Sequence, residues 1–356
     1  MKLSDVCTKG TSNIAQKDLD TRNGTYPIYG ASGFIKNVDF YHQEKPYIAI
    51  VKDGAGVGRV MQLPARSSVI GTMQYIIPNE GVSVEYLAYA LEHMNLSKYY
   101  LGAAIPHIYF KDYCSEPMPN HTPEEQAKIS HVLGLVCNLI SLRKQQLSKL
   151  DELVKSRFIE LFGDTPEEEM VTMADICKII TDGTHQPPKF VSTGIPFLFV
   201  SNIVTNEISY DAQRFITKET YADLIKRTPI AVGDILLSTV GSYGHPAVVK
   251  TEKPFCFQRH IAYLKPDADK VDSEYLRGAI LSVDVQRQID EGVKGIAQKT
   301  LNLSEIRKIR LPLPTIELQR QFAAFVEQTD KSKFEIQKSL EKLETLKKAL
   351  MQKYFG

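Results

Sequence analysis

Two stretches of the chain place seam residues at alternating intervals of four and three. In the first these are Ile129, Leu133, Val136, Ile140, Arg143, Leu147, Leu150, Val154, Arg157 and Leu161. In the second, Phe322, Val326, Thr329, Lys333, Ile336, Leu340, Leu343, Lys347, Leu350 and Tyr354 hold the matching positions. Sustained four–three alternation is the mark of a coiled-coil seam, because only that rhythm keeps one helical stripe facing a partner helix. Two arginines and two lysines interrupt the seam, so it need not be dry throughout. Thr122 before Pro123 suits an N-cap followed by proline at the first helical position. Glu124 and Glu125 then sit where the helix dipole favours negative charge. Gly163 stops the first helix, and Asp164 to Glu169 form a polar linker.

The two stretches are copies. With an offset of 193 and no gap, Pro119 falls on Pro312, Gln126 on Gln319, Leu147 on Leu340, Leu153 on Leu346 and Phe162-Gly163 on Phe355-Gly356. Looser correspondences precede each helix. Asp5-Val6-Cys7 matches Asp175-Ile176-Cys177, and Tyr26-Pro27-Ile28 matches Ile195-Pro196-Phe197. Tyr75 to Pro78 matches Tyr263 to Pro266, and Glu85-Tyr86-Leu87 equals Glu274-Tyr275-Leu276. The apolar runs Pro46 to Val51 and Asp234 to Ser238 read as strands, and a helix is expected after each Glu-Tyr-Leu. The chain therefore divides into globule (1–119), helix (120–163), globule (164–312) and helix (313–356). The expected fold is α+β: two similar globules joined by two long antiparallel coiled-coil helices with pseudo-twofold symmetry.

Composition narrows the function by exclusion. With 43% hydrophobic and 24% charged residues in 356, the chain is ordinary for a soluble globular protein. No run of about 18 apolar residues exists, and Met1 to Asp5 lack the apolar core of a signal peptide, so a cytoplasmic protein is expected. Cys7, Cys114, Cys137, Cys177 and Cys256 form no CxxC, which argues against a zinc site or a disulfide framework. A net charge of +1 would not by itself suggest a nucleic-acid partner; basic residues must then be clustered, or another subunit must share the phosphate contacts.

The order globule, helix, globule, helix is similar to that of the specificity (S) subunits of type I restriction-modification enzymes, and the resemblance covers the whole chain. Tyr26-Pro27-Ile28-Tyr29-Gly30-Ala31-Ser32-Gly33, Asp182-Gly183-Thr184-His185 with Pro187-Pro188, and Gln258-Arg259-His260-Ile261-Ala262 look like family stretches. So do Asn302 to Ile306 and Leu311 to Pro314 with Glu317 to Gln319. The resemblance implies two target recognition domains, each reading one half of a bipartite double-stranded DNA site, with helices that set the gap. It also implies a non-catalytic chain that binds two methyltransferase subunits, with nuclease/translocase subunits joining the full complex, and no membrane partner. The first globule has Tyr-Gly-Ala-Ser-Gly where the second has Asp-Gly-Thr-His, so the two halves should read different bases.

Gln, Arg, Lys, Asn and His in loops are the types that can reach base edges in the major groove. In the first globule the candidates are Tyr29, Ser32, Lys52, Arg59, Thr72, Gln74 and His107. In the second they are Thr184, His185, Lys189, Tyr243, His245, Gln258, Arg259, His260, Gln298 and Lys299. For each, the bland alternative is a solvated loop residue or a satisfied polar group in the core.

Other motifs dissolve on inspection. Gly54-Ala55-Gly56-Val57-Gly58 follows a strand, but Arg59 to Pro64 reads as another strand and not as the helix that a dinucleotide site requires. It and Gly241 to Gly244 are expected to be hairpin turns. Gln186-Pro187-Pro188-Lys189-Phe190 only faintly resembles the catalytic box of amino-methyltransferases, since Lys189 stands where the aromatic should be. Asp182 and His185 lack a nucleophile in the context a triad needs. No cofactor or metal is expected. The rival classes are a fused methyltransferase or nuclease, a coiled-coil scaffold, and a DNA-binding subunit of another methyltransferase system. Calorimetry of the purified chain with a methyl donor should show no binding at micromolar affinity; a measurable heat would restore the fused-enzyme reading.

Overall fold

The computed structural model describes residues 1–100, 106–166, 169–295 and 299–356. It divides into two compact units, the first formed by Met1–Lys144 with Lys338–Gly356 and the second by Gln145–Gln337. Each unit thus combines one globule with a segment of both long helices.

The helices run Pro123–Phe162 and Ile316–Phe355, 40 residues each, so both ends obey the repeat offset of 193. The first opens on a reciprocal cap. Glu125 N–H donates to Thr122 Oγ1 at 3.3 Å, and Thr122 N–H donates to the Glu125 carboxylate at 2.8 Å. Every seam position of the first helix is buried or half-buried, while most of its other residues are exposed. Within each unit the two segments are antiparallel. In the first, Ile129 and Leu133 share a core with Met351, and Lys144 pairs with Glu344 at 3.4 Å. In the second, Lys333 pairs with Asp151, and Phe158 and Phe162 pack on Phe322. Charged seam residues find carboxylates: Lys347 meets Glu92 at 3.2 Å. Phe158 and Phe162 lie one position off the seam and are nevertheless buried, because the helix end turns from its partner helix to the globule core.

The globules share one topology. In the first, an antiparallel sheet has the order Cys7–Thr11, Met73–Pro78, Tyr47–Val51, Val60–Leu63. In the second, Cys177–Asp182, Ile261–Pro266, Ile235–Ser238 and Pro246–Val248 take the same places. A smaller sheet packs beside each. In the first it is Gly33–Val38, Tyr26–Gly30 and Ser68–Val69, and in the second Phe215–Ile216, Ile195–Leu198 and Cys256–Phe257. The period-two alternation of a strand explains why the central runs are apolar on both faces. Ile48 and Ile50 face the helices, while Tyr47, Ala49 and Val51 face the smaller sheet. Ile235 and Leu237 divide from Leu236 in the same way.

The repeated sequence fragments mark repeated polar locks. Asp5 and Asp175 accept the backbone N–H of Lys2 and Thr172, at 2.7 and 2.9 Å, capping the short helices that lead into the first strand. The Glu-Tyr-Leu triplets lie in the opening turns of Val84–His93 and Ser273–Ile280, and so start these helices instead of preceding them. Gln126 accepts from Ser83 N–H at 3.0 Å and donates to the His121 carbonyl at 3.0 Å. Gln319 accepts from Asp272 N–H at 2.8 Å and donates to the Lys270 and Pro314 carbonyls. Ser83 and Asp272 are the N-caps of those same helices. The Tyr86 and Tyr275 hydroxyls donate to the carbonyls of Pro119 and Pro312, at 3.4 and 2.6 Å. Burial pushes the Tyr86 phenol up to about 12, and Tyr275 is shifted upward for the same reason.

Among the described residues no helix is long and apolar enough to cross a membrane. None of their His, Cys, Asp and Glu groups could hold a metal ion, and the five cysteines are free thiols. Gln319→Ala and Gln126→Ala each strand buried backbone groups, so each should lower stability by about 1–3 kcal/mol. Urea unfolding should show losses of the same order for the two; a loss at one site only would contradict their equivalence.

Candidate nucleic-acid interface

At one end of the second unit's larger sheet, four loops are stitched by backbone hydrogen bonds. Thr239 N–H donates to the His260 carbonyl at 3.0 Å, and Leu301 N–H to Thr239 at 2.8 Å. Gly241 N–H donates to Lys299 at 3.2 Å, and Arg259 N–H to Thr184 at 3.1 Å. Single bridges join Val240 to Thr300 and Thr184 to Gln258. The first unit repeats the stitching. Lys52 N–H donates to Thr72 at 3.0 Å, Ile108 N–H to Lys52 at 3.0 Å, and Gly54 N–H to Pro106 at 2.9 Å. Asp53 bridges His107 as Val240 bridges Thr300. The glycine run is a hairpin turn between Tyr47–Val51 and Val60–Leu63. Gly58, at φ +85, approaches so closely that an added Cβ would lie 2.6 Å from the Ser97 backbone nitrogen.

On this common frame the side chains differ. In the second unit the Asp182 carboxylate lies 2.9 Å from His185 Nε2 and accepts from the Arg227 guanidinium at 2.5 Å. His185, Arg259, His260 and Thr300 line a cleft of about 380 Å³ beside it. Arg259 Nε donates to His260 Nε2 at 3.3 Å. Burial, and then the neighbouring Arg259 charge, hold the His260 imidazole below its ordinary 6.5. At neutral pH the ring is therefore uncharged and can accept that bond. In the first unit His107 Nδ1 contacts the Asp53 carboxylate, and Lys52 lies 3.9 Å from it. Arg59 donates to the Ala31 carbonyl at 2.9 Å, tying the glycine turn to the tip of the hairpin that carries Tyr29 and Ser32.

Most of the expected residues thus gather at these two loop clusters: Tyr29, Ser32, Lys52, Arg59, Thr72 and His107 in one, Thr184, His185, Gln258, Arg259, His260 and Lys299 in the other. Lys189 is exposed on the segment that follows His185. Gln298 lies outside the described residues. Gln74 is a correction: it is 4% exposed, because strand alternation turns it inward on the face that carries Ile76. His245 and Tyr243 line a different groove, of about 850 Å³, against the helix segments of the second unit. There His245 Nδ1 lies 3.1 Å from Asn206 Oδ1, and Tyr243 donates to Asp290 at 2.9 Å. Burial holds His245 below 6.5. Tyr243 keeps one link to the loop cluster, since the Lys299 ammonium sits 6.0 Å over its ring. The Asp182-Gly183-Thr184-His185 motif does not reveal in sequence that Asp182 gathers His185 and Arg227 around it, and Arg227 belongs to no motif at all. Nothing near Arg227 in the chain signals that it folds back on a residue 45 positions earlier.

Comparison with known proteins agrees with this geometry. The family model described as the type I restriction modification DNA specificity domain matches residues 1–152 and again 167–348. The type I restriction enzyme MjaVIII specificity subunit of Methanocaldococcus jannaschii is 22% identical over 347 residues, covering 90% of this chain and 81% of that protein. The type I restriction enzyme EcoBI specificity subunit of Escherichia coli is 28% identical over 178 residues, 49% of this chain and 37% of its own length. The crystal structure of the type I restriction-modification S subunit from M. genitalium superimposes with a TM-score of 0.62 at 16% identity, over 100% of this chain and 95% of that one. A domain match that covers nearly the whole chain in two successive copies, on two units of one topology, makes this protein a member of the type I restriction-modification DNA specificity family.

Proposed function

We propose that the chain is the non-catalytic DNA-reading subunit of a type I restriction-modification complex, each loop cluster reading one half of a bipartite double-stranded target. The carrying observation is the same backbone stitching at the same end of both sheets, presenting different side chains in the two units. A common frame with variable contact residues is what two half-sites of unlike sequence require. The recognition domains are residues 1–119 and 164–312, and the helical spacers are 120–163 and 313–356. Phosphate attraction comes from basic residues grouped at the clusters. Among the described residues, Arg259 and Lys299 form no ion pair with a carboxylate, whereas Lys149, Arg157 and Lys331 on the helices pair with Glu152, Glu160 and Glu327.

The helices dock two methyltransferase subunits, and nuclease/translocase subunits join the full cytoplasmic assembly. Two docking surfaces follow from the repeat, because Leu153 and Leu346, equivalent by the offset, are 48% and 46% exposed. Lys144, on the same helices, is exposed as well, and so are Gln145 and Lys348.

Methylation-sensitive sequencing of host DNA should show two half-sites at a constant gap. Exchanging residues 1–119 for those of a relative should change one half and leave the other; a change in both would refute independent reading. Arg259→Ala should cost about 1–3 kcal/mol at one base pair, whereas a uniform loss across sequences would make it a phosphate contact. Discrimination at that pair should also weaken as the pH falls from 7.5 through the lowered His260 value, because the protonated ring no longer accepts from Arg259. His260→Gln, whose amide oxygen accepts without titrating, should flatten that profile.

The partner count is tested by stoichiometry. Two copies of one partner should bind at saturation, and Leu153→Glu or Leu346→Glu should each remove one.

The helices also set the gap. One heptad adds roughly 10 Å, or about three base pairs at 3.4 Å each. Seven residues inserted after both Leu147 and Leu340 should lengthen the spacing of methylated half-sites. Affinity should fall, since three extra pairs rotate the half-sites by roughly 100°. Unchanged spacing with activity retained would sink the ruler.

A further inference from the structure

Phe34 is 59% exposed, in a hairpin whose tip Arg59 joins to the first unit's loop cluster. It lies on Gly33–Val38, the edge strand of the first unit's smaller sheet, opposite Tyr29 on Tyr26–Gly30. Strand alternation sends its neighbour Ile35 to the core beside Gly30 and Ile70, so Phe34 must point outward. The ring is not loose: it meets Tyr29 edge to face at 6.0 Å. The space around the turn is open, since a Cβ on Gly33 (φ +115) or on Gly54 would meet nothing within 4 Å. Arg59 fastens this hairpin tip to the glycine turn at 2.9 Å, which makes the aromatic pair continuous with the Lys52 and His107 cluster.

We propose that Phe34, steadied by Tyr29, reads the 5-methyl group of a thymine in the half-site of the first unit, with Arg59 alongside. This rests on the DNA-reading function above and names one of its specificity determinants. The chemistry is selective. Thymine alone among the four bases carries a methyl group on the major-groove floor, and a polar side chain gains nothing from it. The major groove also admits a two-stranded ribbon, the form of this hairpin. Among the described residues the second unit offers no such hairpin with an outward aromatic. The strand matching Tyr26–Gly30 is Ile195–Leu198, which runs on into the turn Val200–Asn202. Its aromatics Phe190, Phe197 and Phe199 pack on one another, with Phe197 only 2% exposed. This phenylalanine contact therefore belongs to the half-site of the first unit.

The test uses the full chain and duplexes of the host target, replacing each thymine of the first half-site singly by deoxyuridine, which lacks only the methyl. Wild type should lose roughly four-fold in affinity at one position, the worth of one buried methyl carbon. Phe34→Ala should bind the thymine and uracil duplexes equally at that position, and Phe34→Leu should restore part of the discrimination. Sequence-specific binding by wild type with no uracil effect, or a first half-site without an A·T pair, overturns the methyl contact alone. So does a Phe34→Ala variant that is weakened by the same factor on both duplexes and still prefers thymine as wild type does, the signature of a wedge or a scaffold. Failure of wild type to prefer the bipartite target over random duplex would instead bring down the DNA-reading function, and this contact with it.

Discussion

Each long helix starts in one core and finishes in the other, and the remaining architecture follows from that exchange. Pro123–Phe162 leaves the first unit beside the Gln126 lock and ends with Phe162 on Tyr275, 5.0 Å between ring centres, in the second. Ile316–Phe355 leaves the second unit beside the Gln319 lock and ends with Phe355 on Tyr86, at 5.3 Å, in the first. Neither globule is closed by its own repeat alone. Removing one helix end would expose the tyrosine at the root of the Glu-Tyr-Leu helix, which also holds the proline carbonyl where the opposite helix begins. Packing and hydrogen bonding are thus shared at two equivalent points, which accounts for the gap-free repeat along the helices and their entry loops and for the Glu-Tyr-Leu triplet repeated in each globule. A change there must suit two cores at once.

Away from these points the chain has diverged freely, and the physical reason is the stitching at the far end of each larger sheet. Those contacts use backbone N–H and C=O groups, which are indifferent to side-chain identity. Loops held by their backbones can change their side chains without unfolding. In one unit this yields the Asp182, His185 and Arg227 group with the Arg259–His260 pair; in the other it yields Asp53 with His107, and Arg59 on the Ala31 carbonyl. The near-neutral net charge is no obstacle, since several helix acids already pair with basic residues of the helices themselves: Glu152, Glu160 and Glu327 each within its own helix, Asp151 and Glu344 across to the other.

The sequence by itself determined the repeat, both helix termini, the first of them through its cap and its glycine stop, the central strands and the hairpin role of the glycine runs. These are set by short-range rules: spacing of seam residues, caps, and apolar runs between turn formers. It also marked a set of polar loop residues, most of which lie at one loop cluster in each unit. Only the tertiary structure decided which ones. Gln74 and Thr72 are two positions apart, yet one is buried and the other carries a stitching carbonyl, because strand phase depends on register with Tyr47–Val51. Tyr243 and His245 turn to a second groove because helix Val283–Gly292 and Asn206 offer partners there. Arg227 reaches Asp182, and Arg59 fastens the Phe34 hairpin to the glycine turn, through long-range placement that no local pattern encodes. Residue type says what a side chain can do; the fold decides which neighbours it is given.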